Sequence, residues 1–317
     1  MKKSEEWINI NIPKQHSRSV IITGTGGLGY ETALVLVRAG AEVILAGRNE
    51  KKGAESVNKI RTIVPSANIR FESIDLADLA SIEAFGARIK NQRQSLDLLI
   101  NNAGVMTPPK RKVTKDGFEL QFGTNYLGHF ALTAHLMPLL RKGNKPRVVT
   151  VSSMANRERK AKINFDDLQS ERNYHSMDAY DQSKLADLMF TLELQRRSDA
   201  AGWGIMSIAS HPGISSTDLM ANGPGEKSLL ARMLNIFTFM RQSAQNGALP
   251  SLYAAAAPNA EGGGYYGPGG FYEIKGLPGQ AKIPTKAQDV NVAKRLWEVS
   301  KQLTSVDFDK IASMCEK

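Results

Sequence analysis

Short apolar runs alternate with longer amphipathic stretches over most of the chain. Residues 19–23 (SVIIT), 42–46 (EVILA), 69–74, 96–101 (LDLLIN), 147–152 (RVVTVS) and 204–210 have strand length and are predicted to be strands. The first, second, fourth and fifth are nearly continuously apolar, which is what a parallel strand buried on both faces requires. Between them, residues 28–39, 50–64, 79–91, 115–140 and 178–200 repeat their apolar side chains at helical spacing. Such alternation predicts an α/β fold, a doubly wound parallel sheet with helices on both faces.

No fixed-period repeat, low-complexity tract or Pro/Ser-rich linker divides the chain. A single domain is therefore expected over residues 18–317, preceded by an N-terminal extension at 1–17. Beyond Pro212 the pattern changes: residues 222–225 read as a turn, 229–240 (LLARMLNIFTFM) as a short apolar amphipathic stretch, and 261–270 are rich in glycine. Residues 214–245 are a candidate lid region. The stretch 229–240 is either an ordinary packed helix or a cover over an apolar substrate, because loops beyond the carboxyl ends of the strands line the ligand crevice of such a sheet. Residues from about 275 to 317 read as a C-terminal extension.

Composition removes several function classes. At 317 residues and 42% hydrophobic content, the chain needs no disulfide or metal staple. The single cysteine, Cys315, excludes an internal disulfide and a cysteine-based zinc site, and is compatible with a reducing compartment. His16, His129, His135, His175 and His211 show no metal-ligand spacing, so no metal is expected. A G-x-S-x-G nucleophile motif is absent, which argues against a hydrolase. The formal charge of +10 suits an anionic ligand, a nucleic acid or an acidic surface. The basic runs at 110–115 and 157–162 lack interleaved aromatics, which favours a solvated basic rim near an anionic cofactor over nucleic-acid binding. Glu5, Glu6 and Asn9 interrupt the place where a signal peptide needs about 7–15 apolar residues, and no run approaches the roughly 18 of a membrane span. A cytoplasmic protein with no membrane span is expected.

Directly after the first strand come Thr23-Gly24-Thr25-Gly26-Gly27-Leu28-Gly29. Glycines at 24, 26 and 29 satisfy G-x-G-x-x-G, in which the glycines permit a tight turn, close approach of a pyrophosphate and helix–strand packing. N–H groups at the start of the following helix would face the phosphates. Strand before and helix after favour a Rossmann-type dinucleotide site over an ordinary glycine-rich turn. The second strand ends at Gly47-Arg48, where an NAD-binding chain usually carries an acid for the ribose diol. A guanidinium there pairs with a 2′-phosphate, so NADP(H) is expected in preference to NAD(H).

Tyr180 and Lys184 lie four residues apart on a predicted helix and share a face. An ammonium beside a phenol favours phenolate and moves it toward the range of a useful acid or base. Ser152 and Ser153 end the fifth strand, at the edge where a doubly wound sheet binds ligands, and a hydroxyl there suits a carbonyl oxygen.

Taken with Asp75-Leu76 after the third strand, Asn101-Asn102-Ala103-Gly104 after the fourth, Asn125 in TNYLGHF and His211-Pro212-Gly213 through Thr217 after the sixth, these residues resemble the short-chain dehydrogenase/reductase family over nearly the whole chain. The resemblance implies that Tyr180 exchanges a proton with the carbonyl or alcohol oxygen, that Lys184 binds the nicotinamide ribose and lowers the Tyr180 pKa, that Ser153 orients the substrate oxygen, and that Asn125 holds a relay water. It further implies adenine contact at Asp75, an adenosine-ribose lining at Asn102, Ala103 and Gly104, and a carboxamide site at Pro212, Gly213 and Thr217. The long segment before Tyr180, with Asn164-Phe165-Asp166-Asp167-Leu168, is similar to the retinol-dehydrogenase and protochlorophyllide-reductase-like branch, which implies a small apolar or aromatic carbonyl or alcohol substrate.

In one place the chain departs from the family pattern TGxxxGxG: only Thr25 and Gly26 separate Gly24 from Gly27. Either the glycines restore the turn, or the phosphate cradle is distorted. The second case would leave a non-catalytic nucleotide-binding regulatory or scaffold protein. Monomer and homodimer both stay open.

Overall fold

The computed structural model describes residues 2–214 and 242–313. Thr217, Cys315 and the segments 222–225 and 229–240 lie outside the described residues. In chain order the elements are α1 (Lys2–Asn11), β1 (Ser19–Thr23), α2 (Gly27–Arg38), β2 (Glu42–Gly47), α3 (Glu50–Ile63), β3 (Ile69–Ser73), α4 (Leu79–Gln92) and β4 (Leu98–Asn101). A π-helical turn (Phe122–Leu127) then leads into α5 (Gly128–Leu140), followed by β5 (Arg147–Val151), α6 (Ser176–Ala201) and β6 (Met206–Ser210). The remaining described elements are α7 (Ala244–Ala256), β7 (Tyr265–Pro268), β8 (Pro278–Gln280), α8 (Val290–Thr304) and α9 (Phe308–Ser313).

All eight strands form one sheet in the order β3-β2-β1-β4-β5-β6-β7-β8, parallel except for the last pair. The doubly wound architecture is thus the observed one. Alternation along each strand divides the interior in two. Ile21, Ile44, Leu99 and Val148 face α4, α5, α6 and α8, whereas Val20, Ile22, Val43, Leu45 and Ile100 face α2, α3 and α7. The register places Ile21 between Ile44 and Leu99, so the apolar rows continue across strands.

Three departures from the sequence pattern have identifiable causes. The helix expected from 115 starts at Leu120. Before it, Lys115 N–H is given to Ala77 O and Gly117 N–H to Thr114 O, closing a turn in which Gly117 has φ 86°. Glycine-rich residues contribute β7, because Tyr265 and Tyr266 pair with Ala209 and Ser210. The sixth strand begins at Met206 because Gly204, at φ 71°, lies outside the strand region.

The chain ends are built into this core. Helix α1 lies against α7, with Ser4 Oγ donating to Asn246 Oδ1 at 2.6 Å and the Trp7 ring tilted against Tyr253, centroids 6.2 Å apart. Helix α8 inserts Trp297, 1% exposed, among Phe130, Phe190 and Phe308. Trp297→Ala is expected to destabilise the fold by about 3–5 kcal/mol, seen as a lower urea midpoint at unchanged slope. An unchanged midpoint would mean that α8 is not part of the cooperative unit. Among the described residues no helix is long and apolar enough to cross a membrane.

Candidate active site

Strand order reverses between β1 and β4, and the crevice opens beyond their carboxyl ends. There the chain turns through Gly24, at φ 92°, and enters α2 through Gly27, at φ 49°. Two left-handed glycines accommodate the shortened turn. Gly24 N–H donates to Ala46 O at 2.8 Å and Gly29 N–H to Gly26 O at 3.1 Å. Gly26 precedes α2 in an extended conformation and supplies no side-chain cap, so the first N–H groups of the helix are not closed off by one. Gly29 is needed for packing: a Cβ there would lie 2.2 Å from Gly24 O and 2.9 Å from Asn102 Nδ2.

Thr23 fastens this turn to the loop after β4. Its buried Oγ1 accepts from the N–H groups of Asn102 and Ala103 at 2.9 and 3.0 Å, and Asn102 Nδ2 donates to Thr23 O at 2.7 Å. His129 Nε2 lies 2.8 Å from the same hydroxyl, and His129 Nδ1 lies 2.7 Å from Asn125 O. A carbonyl only accepts, so Nδ1 carries the proton and the Thr23 hydroxyl donates to Nε2. Burial pushes this imidazole down to about 3, so it is neutral. The Asn125 side chain is enclosed: Oδ1 accepts from Val105 N–H at 2.7 Å, while Nδ2 donates to Val105 O and Ser183 Oγ, each at 3.0 Å. Gly104 passes so close that a Cβ would stand 3.1 Å from Asn125 Oδ1.

On α6, Lys184 Nζ lies 6.0 Å from the centroid of the Tyr180 ring. Ser153 acts on the Tyr180 phenol and favours its ionised form, which puts the two hydroxyls near one another. Ser152, by contrast, is buried and donates to Lys184 O at 2.7 Å. Strand β5 therefore stops at Val151 and places Ser153, the N-cap of a 3₁₀ turn (Met154–Arg157), at the tyrosine.

Burial pushes the Tyr180 phenol above its ordinary value; Lys184 and Ser153 pull it down, and the carboxylates of Asp187 and Asp181 push it up. The downward effect expected of Lys184 is present but outweighed by burial. Lys184 Nζ donates to Val151 O at 2.9 Å and to Asp187 Oδ2 at 2.8 Å, with both side chains almost fully buried. Burial pushes the Asp187 carboxyl above its ordinary value, and the contact with the Lys184 ammonium pulls it back toward the ionised form.

Other positions divide into open and enclosed. Arg48 is exposed and pairs with no other side chain among the described residues; neighbouring Gly47 lies beside Thr25 of the glycine turn. Asp75 accepts from Ala77 N–H through Oδ1, while the Leu76 side chain is 7% exposed and lies in the core. Pro212 O accepts from Gln242 Nε2 at 2.7 Å, and Gly213, at φ 62°, approaches Ile274 O so closely that a Cβ would stand 2.3 Å away. Beside them, buried His211 contacts Glu273 at 2.8 Å, and Arg157 reaches the same carboxylate. Hydrogen bonds to both hold Glu273 down to about 2 despite its partial burial.

His129 and Asp187 were absent from the sequence-level site, although their spacing was visible. His129 follows Asn125 by four residues and Asp187 follows Lys184 by three, so each shares its partner's helix face. Nothing local shows that those faces are dry. Glu273 comes from a separate loop and carries no such signal.

Residues 18–227 match the model of a family described as short chain dehydrogenase. Human polyprenol dehydrogenase is 39% identical over 300 residues, covering 93% of this chain and 87% of that protein. Mouse retinol dehydrogenase 12 is 38% identical over 303 residues, covering 95% of this chain and 90% of that protein. A crystal structure of an uncharacterized protein from Mycobacterium paratuberculosis superimposes with a TM-score of 0.77 at 38% identity, over 94% of this chain and 97% of that one.

Proposed function

The chain belongs to the short-chain dehydrogenase family, and on that premise we propose that it is an NADP(H)-dependent oxidoreductase that interconverts a carbonyl and an alcohol on an apolar substrate. The observation that carries this reading is the buried Lys184 ammonium, one helical turn from Tyr180 and 6.0 Å from its ring at the crevice, with Ser153 acting on the same phenol from the end of β5. It brings together a proton donor, a second hydroxyl that can fix the substrate oxygen, and a cation that stabilises charge developing on the phenol.

The residues present fit a nicotinamide dinucleotide. The closed turn of Gly24, Gly26, Gly27 and Gly29 at the start of α2 suits a pyrophosphate, and Arg48 is open to a 2′-phosphate. A lysine ammonium has three N–H groups, of which Lys184 gives two to Val151 and Asp187, leaving the third for a ribose hydroxyl. Asp75, the backbone at Leu76, Asn102, Ala103 and Gly104 lie on the adenosine side; Pro212, Gly213 and Thr217 would take the carboxamide end. When bound, the nicotinamide supplies or accepts the hydride. In carbonyl reduction Tyr180 gives its hydroxyl proton to the substrate oxygen while Ser153 holds that oxygen in line. Asn125 keeps the Val105 loop and α6 in register, and the second lone pair of its carbonyl is the place for a relay water. The names of the relatives, polyprenol and retinol dehydrogenase, support an apolar alcohol or aldehyde.

A non-catalytic reading was motivated by the short glycine turn. Its closing hydrogen bonds support the catalytic one. Calorimetric titration with NADPH and NADH tests the cofactor. NADPH is expected to bind more tightly, and Arg48→Ala to weaken NADPH about tenfold while leaving NADH nearly unchanged. Equal weakening of both would remove Arg48 as the selector, and no binding of either would end the oxidoreductase reading. An aldehyde screen of long-chain and aromatic substrates then tests turnover.

A further inference from the structure

The reaction assigned above needs a tyrosine and a lysine, and it does not need a carboxylate beneath them. Asp187 is there nonetheless, one helical turn beyond Lys184 and 1% exposed. Its Oδ2 sits 2.8 Å from Lys184 Nζ, and its Oδ1 is buried without a hydrogen-bond partner. An ion pair in which one carboxylate oxygen goes unsatisfied is an expensive arrangement to bury, and a neutral amide of the same shape would carry less charge into the interior. The groups around the pair are few. Tyr126, from the π-helical turn, senses the Asp187 charge but hydrogen bonds Ser300 of α8 at 2.7 Å. His129, from α5, is neutral, and β5 offers only the Val151 carbonyl. On α6 itself Asp181 acts on Tyr180 in the same sense as Asp187. Among the described residues Lys184 is the cation that acts on both Tyr180 and Asp187, and Asp187 is its direct counter-ion.

Resting on the oxidoreductase reading, we infer that Asp187 is a positioning residue that anchors the Lys184 ammonium against Val151 and cancels much of its field at the Tyr180 hydroxyl, setting the site to donate a proton to a carbonyl rather than to withdraw one from an alcohol. The physical basis is Coulombic. An ammonium alone favours phenolate, whereas an ammonium with a carboxylate at contact distance is a dipole whose field falls off more steeply. With the pair intact the hydroxyl keeps its proton through neutral pH, the form that reduction consumes.

Asp187→Asn keeps the shape and removes the charge. A lost negative charge makes the first proton leave the Tyr180–Lys184 pair at lower pH, whichever microstate is considered. The ultraviolet phenolate signal of Tyr180, isolated by subtracting Tyr180→Phe in each background, is expected to emerge about one pH unit lower or more in Asp187→Asn than in the parent protein. The alkaline loss of NADPH-driven aldehyde reduction should move down with it, and the ratio of alcohol oxidation to carbonyl reduction at fixed pH should rise about tenfold. Asp187→Ser gives the same comparison if the asparagine variant does not fold. An unchanged or higher phenolate onset, in a folded variant of either kind, overturns the inference. The phenolate titration needs no turnover, so its outcome separates from that of the function: a parent protein inactive on every aldehyde and alcohol tested, yet with a shifted onset, would fault the oxidoreductase reading and leave the Asp187–Tyr180 coupling standing.

Discussion

Tyr180→Phe is expected to lower kcat for carbonyl reduction by about three orders of magnitude, to leave NADPH affinity within about twofold, and to keep the fold intact. The side chain is 6% exposed, and phenylalanine occupies the same volume less one hydroxyl. What disappears is the proton that Tyr180 is placed to give to the substrate oxygen. General acid–base catalysis contributes about 10²–10⁴ in rate, and neither Ser152 nor Lys184 takes over as donor: Ser152 is bound to Lys184 O, and two of the Lys184 protons go to Val151 and Asp187, with the third assigned to the ribose. Single-turnover kinetics at saturating NADPH, with a nucleotide titration alongside, separates the chemical step from binding. A variant that retains a tenth of the parental rate would remove Tyr180 from its assigned role.

Gly29→Ala should have the second-largest effect, and it acts on the cofactor. The added methyl would sit 2.2 Å from Gly24 O and 2.9 Å from Asn102 Nδ2. The first of these is backbone, so the start of α2 or the glycine turn must move, and with it the N–H groups placed for a pyrophosphate. More than tenfold loss of NADPH affinity is expected, together with about 1–3 kcal/mol of destabilisation from overpacking. Gly202→Ala is the control. Unlike Gly29, it sits at a left-handed position, φ 64°, but an added Cβ meets nothing within 4 Å and lies at the far end of α6. It should cost about 1 kcal/mol of stability and leave nucleotide binding unchanged. If Gly29→Ala bound NADPH as the parent does, the turn would not be the pyrophosphate site.

Much of this protein was legible before its structure because the relevant signals are local. Helical spacing puts Tyr180 and Lys184 on one face whatever the rest of the chain does. Likewise SVIIT followed by three glycines and a helical pattern defines a strand, a tight turn and a helix N-terminus within a dozen residues. Strands β1, β2, β4 and β5 announced themselves through continuous apolar runs, since burial on both faces leaves no polar alternation to hide them.

Tertiary structure decided what depends on partners remote in the chain. Tyr265 and Tyr266 become a strand only because β6 presents Ala209 and Ser210 to them, and no local pattern announces that. Ser153 rather than Ser152 meets Tyr180 because α6 takes the Ser152 hydroxyl for its own carbonyl. The short glycine turn is closed by Ala46 of β2 and Asn102 beyond β4, neither of which belongs to the motif. Asp187 and His129 were in plain sight at helical spacing, but a helix face gains its chemistry from what covers it. Burial, which raises Tyr180, pushes His129 to neutrality and binds Lys184 to Asp187, exists only once the sheet and its helices have closed around them.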